Sequence, residues 1–284
     1  MNHNYPVKFL FFLFLFAFTV WILWANTAPE ITSYCVQSPD LPEAFSGFRI
    51  AHISDLHNQE LGKNNQKLLK LLQTSSPDII AITGDLIDSR RTDVETALKF
   101  VEEAAKIAPC YYVTGNHESR TSDYDSLKDG LLALGVTVLE NQSISVTHNG
   151  ASITLLGAHD PTFHPDYIQI GTAAVMEQTL NSFDLPKDGF TVLLSHRPEL
   201  LDIYASQSIS LTLSGHAHGG QFRLPFIGGL FAPHQGFFPK YTSGHHIQGT
   251  SSLIISRGLG NSSFPLRFNN RPELVLIELK SSPA

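Results

Sequence analysis

Hydrophobic spacing changes twice along the chain. From Phe9 to Ala25 the run FLFFLFLFAFTVWILWA has no polar period and no charged residue. A helix that crosses a bilayer needs about 17–25 such residues. A secretory h-region is typically shorter and ends at a better A-x-A site than ANTA. Residues 9–25 therefore read as an uncleaved transmembrane signal-anchor, with a cleaved signal peptide as the alternative. Residues 26–47 read as a connector with a short strand, ITSYCV, and proline-marked turns.

From residue 48 onward, short apolar runs alternate with stripes of helical period. FRIAHIS (48–54), DIIAIT (78–83) and CYYVTG are strands, the second apolar in the way of strands buried on both faces. KNNQKLLKLLQTSSP sets Leu68, Leu69, Leu71 and Leu72 at helical spacing and stops at Pro77. TDVETALKFVEEAAKI is a second helix, with Thr92 and Glu95 as a capping box and Val94, Leu98, Val101 and Ala105 as its buried stripe. YDSLKDGLLALG is a third, ended by Gly135. Strands then dominate: VTVLE, SISVTH, ASITLLG, FTVLLSH, SISLTLSG, SLIISRG and LVLIEL, with one helix near 170–182. A βαβαβ half followed by a strand-rich half predicts one layered α/β domain over 48–284, two sheets with helices outside.

Composition agrees: 42% of the 284 residues are hydrophobic and 16% charged, as in a chain that folds. A formal net charge of −7 opposes nonspecific phosphate neutralisation, so no nucleic-acid partner is expected. Lys8 precedes the apolar run, and no Lys or Arg follows until Arg49, while Glu30, Asp40 and Glu43 intervene. Positive flanks stay cytoplasmic. Residues 1–8 are thus placed inside the cell and the bulk outside, as a single-pass protein of the cell membrane. Cys35 and Cys110 allow one disulfide at most, and Cys110 reads as an ordinary strand residue.

The chemistry collects where strands end. FRIAHIS runs into Asp55-Leu56-His57, DIIAIT into Gly84-Asp85, CYYVT into Gly115-Asn116-His117-Glu118, FTVLLS into His196, and SISLTLS into Gly215-His216-Ala217-His218. With a helix starting at Thr92, Asp85 and Asp88 are not needed as caps and sit at the carboxyl end of a parallel strand, where open α/β sheets bind ligands. In extended chain, residues i and i+2 point the same way, so Asp55 with His57 and His216 with His218 converge. Asp, Asn and His suit Mn, Fe, Zn or Ni, and no thiolate takes part. Alone, each motif is ordinary turn chemistry; together and in this order they read as a metal site.

The order DLH, GDLID, GNHE, SHRP and GHAHGGQ resembles the calcineurin-like metallophosphoesterase family over about residues 48–278, and GHAHGGQFRLP, RGLGNSSFPLRF and RPEL resemble its membrane-associated bacterial branch. The resemblance implies an α/β/β/α sandwich of two mixed sheets flanked by helices and two divalent metal ions. Asp55, His57, Asp85 and His218 would hold one, and Asp85, Asn116, His196 and His216 the other, with Asp85 bridging. It implies hydrolysis of phosphodiesters, phosphomonoesters or pyrophosphates by water activated between the ions. His117 would face the substrate and stabilise or protonate the leaving oxygen, and Asp88 would sit behind His117 and orient it.

Other polar residues carry less. Glu118 reads as local structure, and His159, His164, His245 and His246 as structural or exposed. Arg197 and Arg223 either hold a substrate phosphate or make core-edge salt bridges. FRLPFIGGLFAPHQGFFPKY reads as packing over the sheet edge, with an apolar lip for a lipid-linked phosphoester as the alternative. The sequons Asn141-Gln142-Ser143 and Asn261-Ser262-Ser263 carry meaning only in a eukaryotic secretory setting. The expectation is a membrane-anchored phosphoesterase acting on cell-envelope or lipid-linked substrates; the alternative is a catalytically silent binding module that keeps the fold.

Overall fold

The computed structural model describes residues 5–185, 188–261 and 264–283. Residues 1–4 of the expected cytoplasmic segment, Ser262 and Ser263 of the second sequon, and Ala284 lie outside them. Every position of the run Ile79–Thr83 is buried, as an unbroken apolar strand requires. It lies inside a six-stranded sheet, flanked by Arg49–Ile53 and Cys110–Val113 in parallel.

Numbered along the chain, the strands are β1 (Glu30–Ser38), β2 (Arg49–Ile53), β3 (Ile79–Thr83), β4 (Cys110–Val113), β5 (Thr137–Val138), β6 (Gln142–His148), β7 (Ala151–Gly157), β8 (Thr191–Leu194) and β9 (Leu211–Ser214). They continue with β10 (Arg223–Leu224), β11 (Gly228–Gly229), β12 (Phe231–Ala232), β13 (Gly236–Phe237), β14 (Gly244–Gln248), β15 (Ser251–Ile255) and β16 (Glu273–Ser281). The first sheet runs β1-β16-β2-β3-β4-β5 and the second β14-β15-β9-β8-β7-β6. Both are mixed: β16 and β2 are antiparallel in the first, and β14–β15 and β6–β7 in the second.

The helices are α1 (Tyr5–Thr27), α2 (Gln66–Ser75), α3 (Val94–Ala105), α4 (Tyr124–Ala133), α5 (Tyr167–Asn181) and α6 (Leu201–Ser206). Ile50, Val113 and Ile277 of the first sheet share a core with Leu155, Val192 and Ile254 of the second. On the outer face of the first sheet, Leu68, Phe100 and Leu131 from α2, α3 and α4 cover Ile80, Ile82 and Tyr112. Met176, Leu180 and Tyr204 of α5 and α6 cover Leu156 and Leu193 of the second. The result is the expected α/β/β/α sandwich.

Several local expectations need correction. The cap of α3 is Asp93, whose carboxylate accepts from Thr96 N–H at 2.9 Å; Thr92 instead donates to the Asp88 carbonyl. An Asp one residue further on displaces the Thr because its carboxylate reaches the free N–H groups. Its fully buried face consists of Ala97, Phe100, Val101 and Ala104, with Val94, Leu98 and Ala105 partly buried against the same core. Gly171, at φ 85°, breaks the first turn of α5. Within residues 26–47, β1 pairs in parallel with β16 along its whole length. Both cysteines are free, Cys35 exposed and Cys110 buried.

Among the described residues, one helix is long and apolar enough to cross a membrane: α1, over the 21 residues Val7–Thr27. At about 1.5 Å per residue it spans about 30 Å, the thickness of a hydrocarbon core. Its carboxyl end is tied to the domain. Asn26 donates to the Arg267 carbonyl (2.9 Å) and accepts from the Arg267 N–H (2.7 Å), and Trp21 meets Phe268 edge-on at 5.7 Å.

Candidate metal centre

The loops leaving β2, β3, β4, β8 and β9 meet at one edge of the sandwich. Asp55, His57, Asp85, His216 and His218 all have positive φ, between 47° and 65°. The expected convergence of i and i+2 through an extended chain is therefore not the mechanism. Left-handed turns do the folding back, a conformation that costs non-glycine residues about 1–3 kcal/mol each and persists where the surroundings enforce it. Close backbone approach is the enforcement: a Cβ on Gly115 would lie 2.2 Å from Asp85 Oδ1, and one on Gly215 would lie 2.2 Å from Asp55 Oδ2. The glycines of GNHE and GHAH are thus steric requirements.

Six side chains gather there in two overlapping groups. In one, His218 Nε2 lies 3.2 Å from Asp55 Oδ1 and 3.2 Å from His57 Nε2. Asp85 Oδ2 closes this group, 3.6 Å from His57 Nε2. In the other, the same oxygen is 3.2 Å from His196 Nε2, which is 3.1 Å from His216 Nδ1. Asn116 Oδ1 is buried and has no hydrogen-bond partner among the described residues. Ligands at about 2.0–2.2 Å from an ion stand roughly 3–3.5 Å apart, so these nitrogen and oxygen separations suit divalent cations.

Electrostatics points the same way. Burial alone would raise Asp55 and Asp85, but the surrounding imidazoles, His218 beside one and His196 beside the other, hold both well below the usual carboxylate range. Burial likewise opposes a charged His196, yet Asp85 carries it up to about 10. The Asp85 carboxylate thus favours positive charge on the His196 ring beside it. Burial keeps His218 down at about 3 and His216 well below its ordinary value, so both present lone pairs at neutral pH. His196 Nδ1–H donates to the Thr83 carbonyl at 2.7 Å, which turns its Nε2 to the centre.

Asp88 lies in one cluster with His57 and His117, a ligand atom of each within 4.8 Å of the others, but the hydrogen bond to the His117 ring comes from elsewhere. His117 Nδ1 accepts from the Ser89 N–H (3.1 Å), while Asp88 pairs with Arg90 at 2.8 Å and approaches His57 Nδ1 at 3.8 Å. The turn after β3 brings the backbone of Ser89, rather than the Asp88 carboxylate, to the His117 ring. Glu118, as expected, is structural: fully buried, it accepts from the N–H groups of Asp85, Leu86 and Gly115 and so joins two site loops. Asp85 Oδ1 in turn accepts from His117 N–H at 2.8 Å.

Arg197 is fully buried and donates two hydrogen bonds to Asp160, at 2.5 and 2.9 Å. Its Nη1 lies 3.0 Å from His216 Nε2 and 2.9 Å from His234 Nδ1. Of the two readings for Arg197, the salt bridge is the one the structure supports. Arg223 sits apart, on the Gly219 carbonyl and Thr242. His159, His164, His245 and His246 bond to Thr114, Asp166 N–H, Ser252 and the Ser243 carbonyl, away from the two groups. Reading the sequence missed Asp160, His234 and the buried Arg267, whose Nη2 is 3.3 Å from His218 Nδ1. Asp160 carries a signal that was overlooked, since it follows strand β7 as the other acids follow theirs. His234 stands in an aperiodic Gly/Pro stretch that gives none.

That stretch does not pack down over the sheet edge as expected. It folds into two-residue hairpins, β10–β11 and β12–β13, too short to bury both faces. Phe226, Phe231, Phe237 and Phe238 stand exposed, and Phe231 and Phe237 line a cavity that His218 borders.

The family model described as calcineurin-like phosphoesterase matches residues 48–220. The chain is 32% identical over 267 residues to the uncharacterized metallophosphoesterase YkuE of Bacillus subtilis, covering 89% of this chain and 86% of that one. It is 29% identical to the bovine transmembrane protein with metallophosphoesterase domain, covering 93% of this chain but 60% of that longer protein. It is also 26% identical to Phosphodiesterase YaeI of Escherichia coli, covering 82% of each. Among solved structures, TT1561 of Thermus thermophilus shares the fold, with a TM-score of 0.51 at 15% identity over 75% of this chain and 90% of that one. On its matched domain, and on the DLH, GDLID, GNHE and GHAH loops that the structure draws to one edge, the chain belongs to the calcineurin-like phosphoesterase family of metal-dependent phosphoester hydrolases.

Proposed function

We propose a membrane-anchored phosphoesterase that holds one divalent cation on Asp55, His57, Asp85 and His218 and a second on Asp85, Asn116, His196 and His216. Its substrates are phosphodiesters of cell-envelope or lipid-linked molecules, with monoesters and pyrophosphates open to the same chemistry. The supporting observation is the Asp85 carboxylate: Oδ1 is occupied by His117 N–H, and Oδ2 lies between the nitrogens of both groups. When bound, such a pair lowers the pKa of water toward 7 and neutralises charge on the phosphoryl oxygens.

The side chains do the rest. Asp55 and Asp85 bring two negative charges, too few to cancel two divalent ions, so a phosphate anion is attracted. Because His117 Nδ1 accepts from Ser89 N–H, the neutral ring carries its proton on Nε2. Burial holds His117 down at about 4, so it is a neutral donor near pH 7, available to the leaving oxygen as the P–O bond breaks. Helix α1 anchors the chain, and the Lys8-to-Arg49 asymmetry puts the domain on the extracytoplasmic side.

Full-length protein loaded with Mn²⁺ is expected to hydrolyse bis-p-nitrophenyl phosphate. Asp85→Asn should lose both hydrolysis and the bound ions measured by elemental analysis. His117→Ala should keep the ions and lose about 10²–10⁴-fold in kcat. Undiminished hydrolysis in Asp85→Asn breaks the assignment.

A further inference from the structure

A cavity of about 330 Å³ opens beside the centre, a size at the lower end of small-ligand sites. Ala217 and His218 form one wall; Phe222, Leu230, Phe231, Phe237 and Phe264 supply most of the rest. The same His218 ring reaches Asp55 Oδ1 at 3.2 Å, so an occupant lies one imidazole away from the metal-competent group. Phe231, Phe237 and Phe264 remain 48%, 77% and 55% exposed, an apolar concentration of the kind that marks a binding surface. The lining offers little to a sugar or a nucleobase, because the Gln221 amide nitrogen is already donated to the carbonyls of Phe264 and Leu266, at 3.0 and 2.7 Å.

The back of the cavity indicates what fills it. Phe222 is bridged to Phe268, whose ring packs on Trp21 and Phe18 of α1 at 5.7 and 6.4 Å. An apolar course therefore runs from the bilayer-length helix through Phe268 and Phe222 to the cavity and His218. It is the course that a hydrocarbon chain rising from a bilayer would follow to reach the cavity.

We propose that the cavity is the subsite for one hydrocarbon chain of an amphiphilic phosphoester, making the substrate a lipid phosphoester drawn from the leaflet beside the carboxyl end of α1. This rests on the phosphoesterase reading given above, which fixes where the phosphorus must sit.

Alkyl p-nitrophenyl phosphate diesters, from ethyl to dodecyl, test it with the full-length Mn²⁺-loaded protein in one detergent. The subsite gives a kcat/KM that rises with chain length by up to about fourfold per methylene and levels off once the cavity is full. In Phe222→Asp and in Phe237→Asp, the dodecyl-to-ethyl ratio should fall by about tenfold or more. Taking the ratio within each variant removes general losses from folding, and partition into detergent is common to all. A flat ratio in the unmodified protein, or a steep one that survives both substitutions, overturns the subsite. If the ethyl ester is still cleaved, the phosphoesterase reading stands; if no diester is cleaved, that reading falls instead.

Discussion

Arg197 is the residue on which the largest single effect on stability is expected. Its guanidinium is fully buried, joins Asp160 through two hydrogen bonds, and lies against His216 and His234. Burial by itself would raise Asp160, yet the Arg197 charge holds it below its ordinary value. A depressed folded pKa gives stability that is complete above the unfolded value, about 3.9, and drains away as pH falls through the folded one. Arg197→Met leaves that carboxylate buried without its partner and should cost about 3–5 kcal/mol in urea unfolding at pH 7. The gap to the unmodified protein should narrow as pH falls, beginning above the ordinary carboxylate value, because burial without Arg197 raises Asp160 in the variant, and closing only below that value, where the unmodified protein takes up the same proton. A constant gap across that range would mean lost packing rather than lost charge. At this scale the six residues that the structure draws together were legible because each follows a strand. The left-handed backbone of Asp55, His57, Asp85, His216 and His218 was not, because it is imposed by contacts between loops distant in sequence.

At the level of elements, periodicity located nearly every helix and strand of the first half. It missed α6 and β14, which are short and take their order from neighbours rather than from an apolar pattern of their own. The capping of α3 went wrong by one residue because Thr92 and Asp93 are both good caps and the turn after β3 decides between them. This has a measurable outcome: Asp93→Ala should lower stability by about 1 kcal/mol. Glu95→Ala should lower it less, because that side chain is 78% exposed and pairs only with Lys99 among the described residues. The reverse order in thermal or denaturant unfolding would restore the Thr92–Glu95 capping box.

For the whole molecule, layer order was legible from the switch between helical and alternating spacing, whereas the place of β1 was not. Nine residues of connector-like sequence become an edge strand only because β16 offers them a parallel partner. That strand also carries a built-in reporter of topology. Cys35 is exposed on β1, while burial pushes the Cys110 thiol up to about 12. A membrane-impermeant maleimide applied to intact cells should therefore label the full-length protein at Cys35 alone, with Cys35→Ser abolishing the signal. Labelling that appears only after permeabilisation would reverse the proposed orientation.

The pairing of β1 with β16 has a consequence for synthesis. β16 is inserted between β1 and β2, and Thr32 meets Glu273 across 241 residues of chain. The first sheet therefore stays a broken fan until its last-made strand arrives from the ribosome. A chain that emerges amino end first must keep β1 waiting, bare-edged, just past α1. Whatever meets the nascent chain has to leave that gap open until β16 has been made.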